Sequence, residues 1–275
     1  MLNALYPDLK ITVSYKERAN VKYKGRLLPY VSEAEAISLD ADIILAAGAE
    51  NLRNNQLVER CRNLGLDETK LLPDRLPCIP GFDLRKYRRL QASSLSVFAA
   101  HCFGGILCHR LELAFNSPLI NMFFRPMESY LRFLEAPQQY MKETPVFVRS
   151  EYEQNLKRNY PVVGLGDIEI HMNHYLDFET GLRKWQERIK RINWYNLFVT
   201  MYTDDESELK RFAALPYGKK VCFTSFQSEL EEAFYLPGDT PLWDRANQMA
   251  FGKRNDYDVF EMLLYGRKVP VRQVL

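Results

Sequence analysis

The sequence predicts an α/β protein: a small Rossmann-like domain over residues 1–84, then a larger doubly wound α/β domain over residues 85–230. Residues 231–275 form a C-terminal helical extension packing on that body. Three observations carry this. Strand-like and helix-like stretches alternate along most of the chain, the pattern that builds sheets covered by helices. A length of 275 residues is about twice an ordinary domain. Residues 72–84 (LPDRLPCIPGFD and its flank) concentrate prolines and a glycine, the punctuation of a linker.

In the first domain, Ile11 to Tyr15 reads as a strand, and Ser32 with Glu35 forms a capping-box pattern that opens a short helix. Asp42 to Ala47 is an apolar, buried-type strand ended by Gly48. Leu57, Cys61 and Leu64 recur at helical spacing, and Gly65 stands where a helix end favours glycine. A dinucleotide site needs a glycine-rich turn after the first strand, and no GxGxxG occurs, so Glu17 reads as solvated surface.

Beyond Leu95 the pattern predicts strands at 95–100, 119–124, 145–148, 167–172, 195–202 and 219–226. Helices fall between them at about 105–113, 126–135, 178–192 and 205–214. A last helix spans Tyr257 to Tyr265 and stops at Gly266.

Composition narrows the function classes. Apolar residues make up 47% and charged residues 26%, which fits a globular chain and argues against disorder. Lys plus Arg number 37 against 35 Asp plus Glu, a balance with no global field for nucleic acid. Five scattered cysteines without a CxxC pair read as free thiols of a reducing compartment. The first twenty residues lack an apolar leader core, and no stretch is apolar enough for a membrane helix. The expectation is therefore a cytoplasmic chain with no integral membrane segment and no nucleic-acid partner.

Four constellations could carry chemistry. His101, Cys102, Phe103, Gly104 and Gly105 lie between a buried strand and a helix, where an α/β sheet forms its ligand crevice. Paired glycines there let an anion approach helix N–H groups, and a thiol beside a histidine can become a nucleophile. The plainer reading is a glycine-eased turn with a buried thiol. Asp167, Glu169 and His171 share one strand face at two-residue spacing, with His174 just beyond, a set suited to acid–base work or metal ligation. An edge strand with one wet face is the competing reading.

In the helix 178–192, Leu182, Trp185, Ile189 and Ile192 form an apolar stripe. Arg183, Lys184, Arg188, Lys190 and Arg191 supply cations that could grip phosphate or an acidic sugar, Arg188 foremost because it neighbours the stripe, or simply solvate the outer face, the usual fate of a charge run. Asn121, Arg125 and Asn193 complete the substrate-binding candidates. Thr203, Asp204 and Asp205 invite comparison with acidic metal pairs, but Asp205 with Glu208 is better explained as a helix cap. The cofactor is left undetermined by these patterns.

Cys102 with Gly104 and Gly105, then Asn116-Ser117-Pro118, Phe123-Phe124, Tyr160-Pro161 and Gly166 to His171 form an ordered series. It continues with His174-Tyr175, Trp185, Arg188, Arg191-Ile192-Asn193 and Asn196-Leu197-Phe198. Over roughly residues 85–227 this series resembles an uncharacterised bacterial family commonly labelled exopolysaccharide biosynthesis protein. The preceding α/β segment is similar to one that accompanies some members, without its first strand. The chain departs from the family at Ala99, Ala100, His101 and Phe103, where polar residues and a tryptophan stand in the pattern.

The resemblance implies an enzyme of cell-surface polysaccharide assembly: a transferase acting on an activated or lipid-linked sugar, possessing a sugar or glycan partner that can carry phosphate. In that reading Gly104 and Gly105 admit an anionic group, Arg188 neutralises it, and Asp167, Glu169, His171 and His101 supply the catalytic groups, with Cys102, Asn121, Arg125, His174 and Asn193 contacting substrate. A non-catalytic glycan- or partner-binding protein is the rival class, and a cysteine/histidine acyltransferase or hydrolase is the third.

Overall fold

The computed structural model describes residues 81–271 without interruption, most of 56–79, and short pieces before them at 13–14, 22–23, 26–27, 30–31, 35 and 44–46. By its contacts the chain divides into two compact units, 1–79 and 80–275.

In the first unit, β1 (Val13–Ser14) pairs in parallel with β4 (Tyr30–Val31), and β2 (Lys22–Tyr23) pairs antiparallel with β3 (Arg26–Leu27). β5 (Ile44–Ala46) pairs in parallel with β6 (Leu71–Pro73), with α1 (Gln56–Asn63) between them in sequence. Gly65 follows that helix at φ +73°, a left-handed conformation that glycine adopts without steric penalty. Glu17 and the Ser32 cap lie outside the described residues.

The second unit opens with α2 (Leu84–Ala92), whose first turn is capped by the Asp83 carboxylate accepting from the Lys86 N–H at 2.8 Å. It then builds two four-stranded sheets. One is parallel, with β7 (Ser96–Ala99), β12 (Leu197–Thr203), β13 (Lys220–Thr224) and β14 (Ala233–Tyr235) in the order β14-β13-β12-β7. The other is antiparallel: β8 (Phe123–Phe124), β9 (Val146–Glu153), β10 (Arg158–Leu165) and β11 (Ile168–His171), in the order β8-β11-β10-β9, with α4 (Met127–Glu135) and α5 (Pro137–Tyr140) between β8 and β9 in sequence.

This corrects the doubly wound expectation. The strands foreseen near 119–124, 145–148 and 167–172 do not interleave with β7 and β12; they leave to build the antiparallel sheet. The remaining parallel strands each add on the same side, so their order never reverses and has no switch point. The segment 231–275 is more than a helical extension: it contributes β14 to the parallel sheet as well as α8 (Leu242–Ala250) and α9 (Val259–Tyr265).

Alternation along β7 explains the layering. Phe98 and Ala100 face a core shared with Val199, Met201 and Cys222 of the parallel sheet and Val163, Leu165, Ile168 and Ile170 of the antiparallel one. Trp185 of α6 (Phe178–Ile189) and Leu209 and Phe212 of α7 (Glu206–Ala213) close this core. Val97 and Ala99 face the other way, onto α3 (Phe103–Arg110). The two sheets are joined where the Phe124 N–H donates to the Ala100 carbonyl at 3.0 Å. That bond lays the end of β8 against the carboxyl end of β7, directly before His101 and Cys102.

Candidate functional site

Cys102 sits at the N-cap of α3, half-buried, with helical φ and ψ and no side-chain cap bond. Its Sγ lies 3.2 Å from Nε2 of His174, which is exposed. The two residues come from different sheets: Cys102 from the end of β7, His174 from the loop after β11. The Asn173 side-chain amide donates to the same sulfur at 3.9 Å, while its own Oδ1 is buried without a hydrogen-bond partner. Arg158 Nη2 donates to the Asn173 carbonyl at 3.4 Å and steadies this loop.

Burial pushes the Cys102 thiol above its ordinary range; the Asn173 amide and the residue's own backbone N–H oppose this, and the Glu153 carboxylate adds to it. Burial also lowers His174, with Arg158 acting in the same direction and Glu153 against. At neutral pH the resting pair is therefore thiol and neutral imidazole rather than an ion pair.

His101, adjacent in sequence, does not meet the sulfur's partner. Its ring is 6% exposed, stacked 6.1 Å from Phe103 and edge-on to Tyr202 at 4.8 Å. Burial drives its pKa down to about 3, and the Trp243 backbone offsets this only in part. A ring that stays neutral across the physiological range and is sealed among aromatics is packing rather than an accessible base.

The paired glycines also have a packing role. A Cβ on Gly104 would stand 3.0 Å from Val97 Cγ1 and 3.1 Å from Ala99 Cβ; on Gly105 it would stand 3.2 Å from Asn121 Oδ1. Gly104 thus lets α3 pack close to β7, and Gly105 lets it pack close to Ile120 and Asn121. Asn121 itself adopts φ +67°, the left-handed region that Asn tolerates better than most residues.

The acidic and imidazole set is split. His171 is 2% exposed, stacked 4.4 Å from Phe123, with Nδ1 3.2 Å from the Tyr160 hydroxyl, which also donates to Glu151 at 3.0 Å. Burial lowers its pKa, with Glu151 opposing. Glu169 accepts from Arg149 at 2.7 Å, and that bond holds its carboxyl below the usual range. Asp167 precedes β11 and belongs to another neighbourhood, where it accepts from Tyr140 at 2.7 Å and pairs with Arg132. Among the described residues no group of three or more His, Cys, Asp or Glu is placed to hold a metal ion.

Arg188 is buried and committed: Nη1 donates to the Ile120 carbonyl at 3.0 Å and the Tyr175 hydroxyl at 2.7 Å, and the guanidinium lies 5.5 Å from the Phe115 ring centre. It anchors Tyr175, the residue after His174, instead of facing a crevice. Asn193 lies at the opposite end of the parallel sheet, where its N–H donates to Ser96 Oγ at 2.8 Å. Arg125 is exposed just past β8. Asp205 accepts from the Ser207 and Glu208 N–H groups, the expected cap of α7.

Nothing in the sequence marks Asn173, Arg158 or Glu153, and His174 stands out there only as a substrate contact or as an adjunct to the Asp167, Glu169 and His171 set. Cys102 and His174 stand 72 residues apart, and no local spacing links them.

Fold and site together define a mixed α/β protein with a thiol–imidazole pair at the mouth of a parallel sheet. The chain belongs to a family described as a domain of unknown function, DUF1919, which matches residues 78–265. It is similar to an uncharacterized protein of Haemophilus influenzae, 32% identical over 178 residues that cover 63% of this chain and 78% of the relative. Among the described residues no helix is long and apolar enough to cross a membrane.

Proposed function

We propose that this chain is a cysteine-dependent acyl-transfer enzyme, a transferase or hydrolase, serving cell-surface polysaccharide assembly from the cytoplasm. The observation that carries the proposal is the 3.2 Å approach of Cys102 Sγ to His174 Nε2 beside the first N–H groups of α3. The exopolysaccharide resemblance supplies the acceptor class, a sugar hydroxyl.

His174 Nε2 takes the thiol proton as the sulfur attacks an acyl carbonyl carbon, and the same proton is delivered to the departing group. The thioester on Cys102 is then attacked by the acceptor hydroxyl, whose proton passes to His174 and returns to the sulfur as the ester leaves. Unpaired N–H groups at the helix start are the natural donors to the oxyanion of both steps. Because the resting pair is neutral, proton transfer accompanies attack rather than preceding it.

A sugar-transfer reading built on Asp167, Glu169 and His171 has less support, because each of these groups is committed to a different neighbour. Incubation with an activated aryl ester followed by mass spectrometry of the intact chain tests the proposal. The expected result is one acyl adduct on Cys102, absent in Cys102→Ala and formed about 10²–10⁴-fold more slowly in His174→Ala. An adduct that persists in Cys102→Ala, or its absence from the wild-type chain, removes the reading.

A further inference from the structure

β9 is the outer strand of the antiparallel sheet. Among the described residues it pairs only with β10, which leaves eight residues with one backbone edge free. Long free edges are templates for pairing, and proteins blunt them with charged side chains, prolines or bulges. Here Val146 is 64% exposed, Phe147 47%, Val148 49% and Tyr152 61%, an apolar rim along that edge. The register against β10 shifts between Val162 and Val163, so an extra residue near Val148 bends the start of the strand. The stretch Arg149–Glu153 remains regular.

Its charges make this stretch self-complementary in one register. Arg149 and Glu151 lie on one face, and Ser150 stands between them. In an antiparallel pair of identical strands about a two-fold axis, an axis through Arg149 sets arginine opposite arginine, and an axis through Glu151 sets glutamate opposite glutamate. Like charges directly opposite are unfavourable, and unlike ones are favourable. An axis through Ser150 instead sets Arg149 opposite Glu151 twice over, with the small Ser150 opposite itself.

We propose that two copies of this chain associate through β9, antiparallel and centred on Ser150, to form one continuous eight-stranded sheet. The contact is isologous, so it closes at the dimer and cannot extend into a filament. Pairing short strands buries less surface than a standard interface, and the association is accordingly weak and concentration-dependent.

Light scattering of the full chain over a wide concentration range should show the mass rising from 32.2 kDa toward twice that value. Ser150→Arg, which sets two cations face to face at an exposed position, should hold the chain monomeric with its thermal transition intact. Ser150→Cys should cross-link under mild copper–phenanthroline oxidation far faster than wild type or Glu153→Cys, since only residue 150 meets itself. A chain that stays monomeric at its highest attainable concentration overturns the proposal. So does a dimer that survives Ser150→Arg, or one in which Glu153→Cys cross-links as well as Ser150→Cys.

Discussion

At His101 the structure converts a sequence ambiguity into a measurable pH dependence. The ring's folded pKa, about 3, lies below the ordinary histidine value of 6.5. Between those values the unfolded chain binds more protons than the folded one, so stability is fully present above pH 6.5 and lost as pH falls toward 3. At pH 4.5 the loss amounts to roughly 3 kcal/mol, about two pH units at 1.36 kcal/mol each. His101→Phe, which suits the Phe103 and Tyr202 neighbours, should flatten the decline, as urea titrations at pH 7 and pH 4.5 will show. Equal declines in both proteins would mean the imidazole is not the group responsible. Cys102 responds in the opposite direction. Its raised pKa keeps it protonated at neutrality, so iodoacetamide should label it slowly at pH 7 and faster as pH climbs past the ordinary thiol range. Rapid labelling already level at pH 7 would contradict a neutral resting pair.

Among the elements, the β7–α3 junction is the most tightly specified. Gly104→Ala would press a methyl group against Val97 and Ala99, and overpacking of this kind costs about 1–3 kcal/mol. Because Cys102 is the residue at which α3 begins, the displaced helix should also slow its alkylation, a coupling that melting curves and labelling rates together can test. Arg188 acts from the far side of the same site. Arg188→Met removes two hydrogen bonds from a buried cation, a loss of about 1.5–3 kcal/mol for each bond to a charged group as an upper range. It should also free Tyr175 and, with it, the neighbouring His174. The residue patterns made several elements legible: the α7 cap at Asp205, the α9 stop at Gly266 and the β7-to-α3 turn all follow from local chemistry. Of the β9–β10 hairpin only the first residues were legible, as the strand expected over 145–148. Arg149, Glu151 and Glu153 gave the segment the polarity of a loop, whereas in the fold they are the half-wet face of an edge strand.

For the whole molecule, local pattern identified strands without revealing which sheet each would join. Ile168, Ile170 and Met172 carry the apolar alternation that either sheet requires; their placement is decided by pairing β11 with β10 and β8, contacts a period-two pattern does not encode. The thiol–imidazole pair was hidden for the same reason, since it forms only when the end of the antiparallel sheet meets the end of the parallel one. The second unit, 80–275, holds both sheets and the Cys102–His174 pair, with a continuous apolar core of its own. A chain beginning at Pro80 should therefore unfold cooperatively and label at Cys102 with the same pH dependence as the full chain. If the shorter chain instead lost cooperative unfolding, residues 1–79 would be needed to complete that core. If it folded but labelled at Cys102 as fast as a free thiol, the slow labelling would not be a property of this unit's own packing around the sulfur.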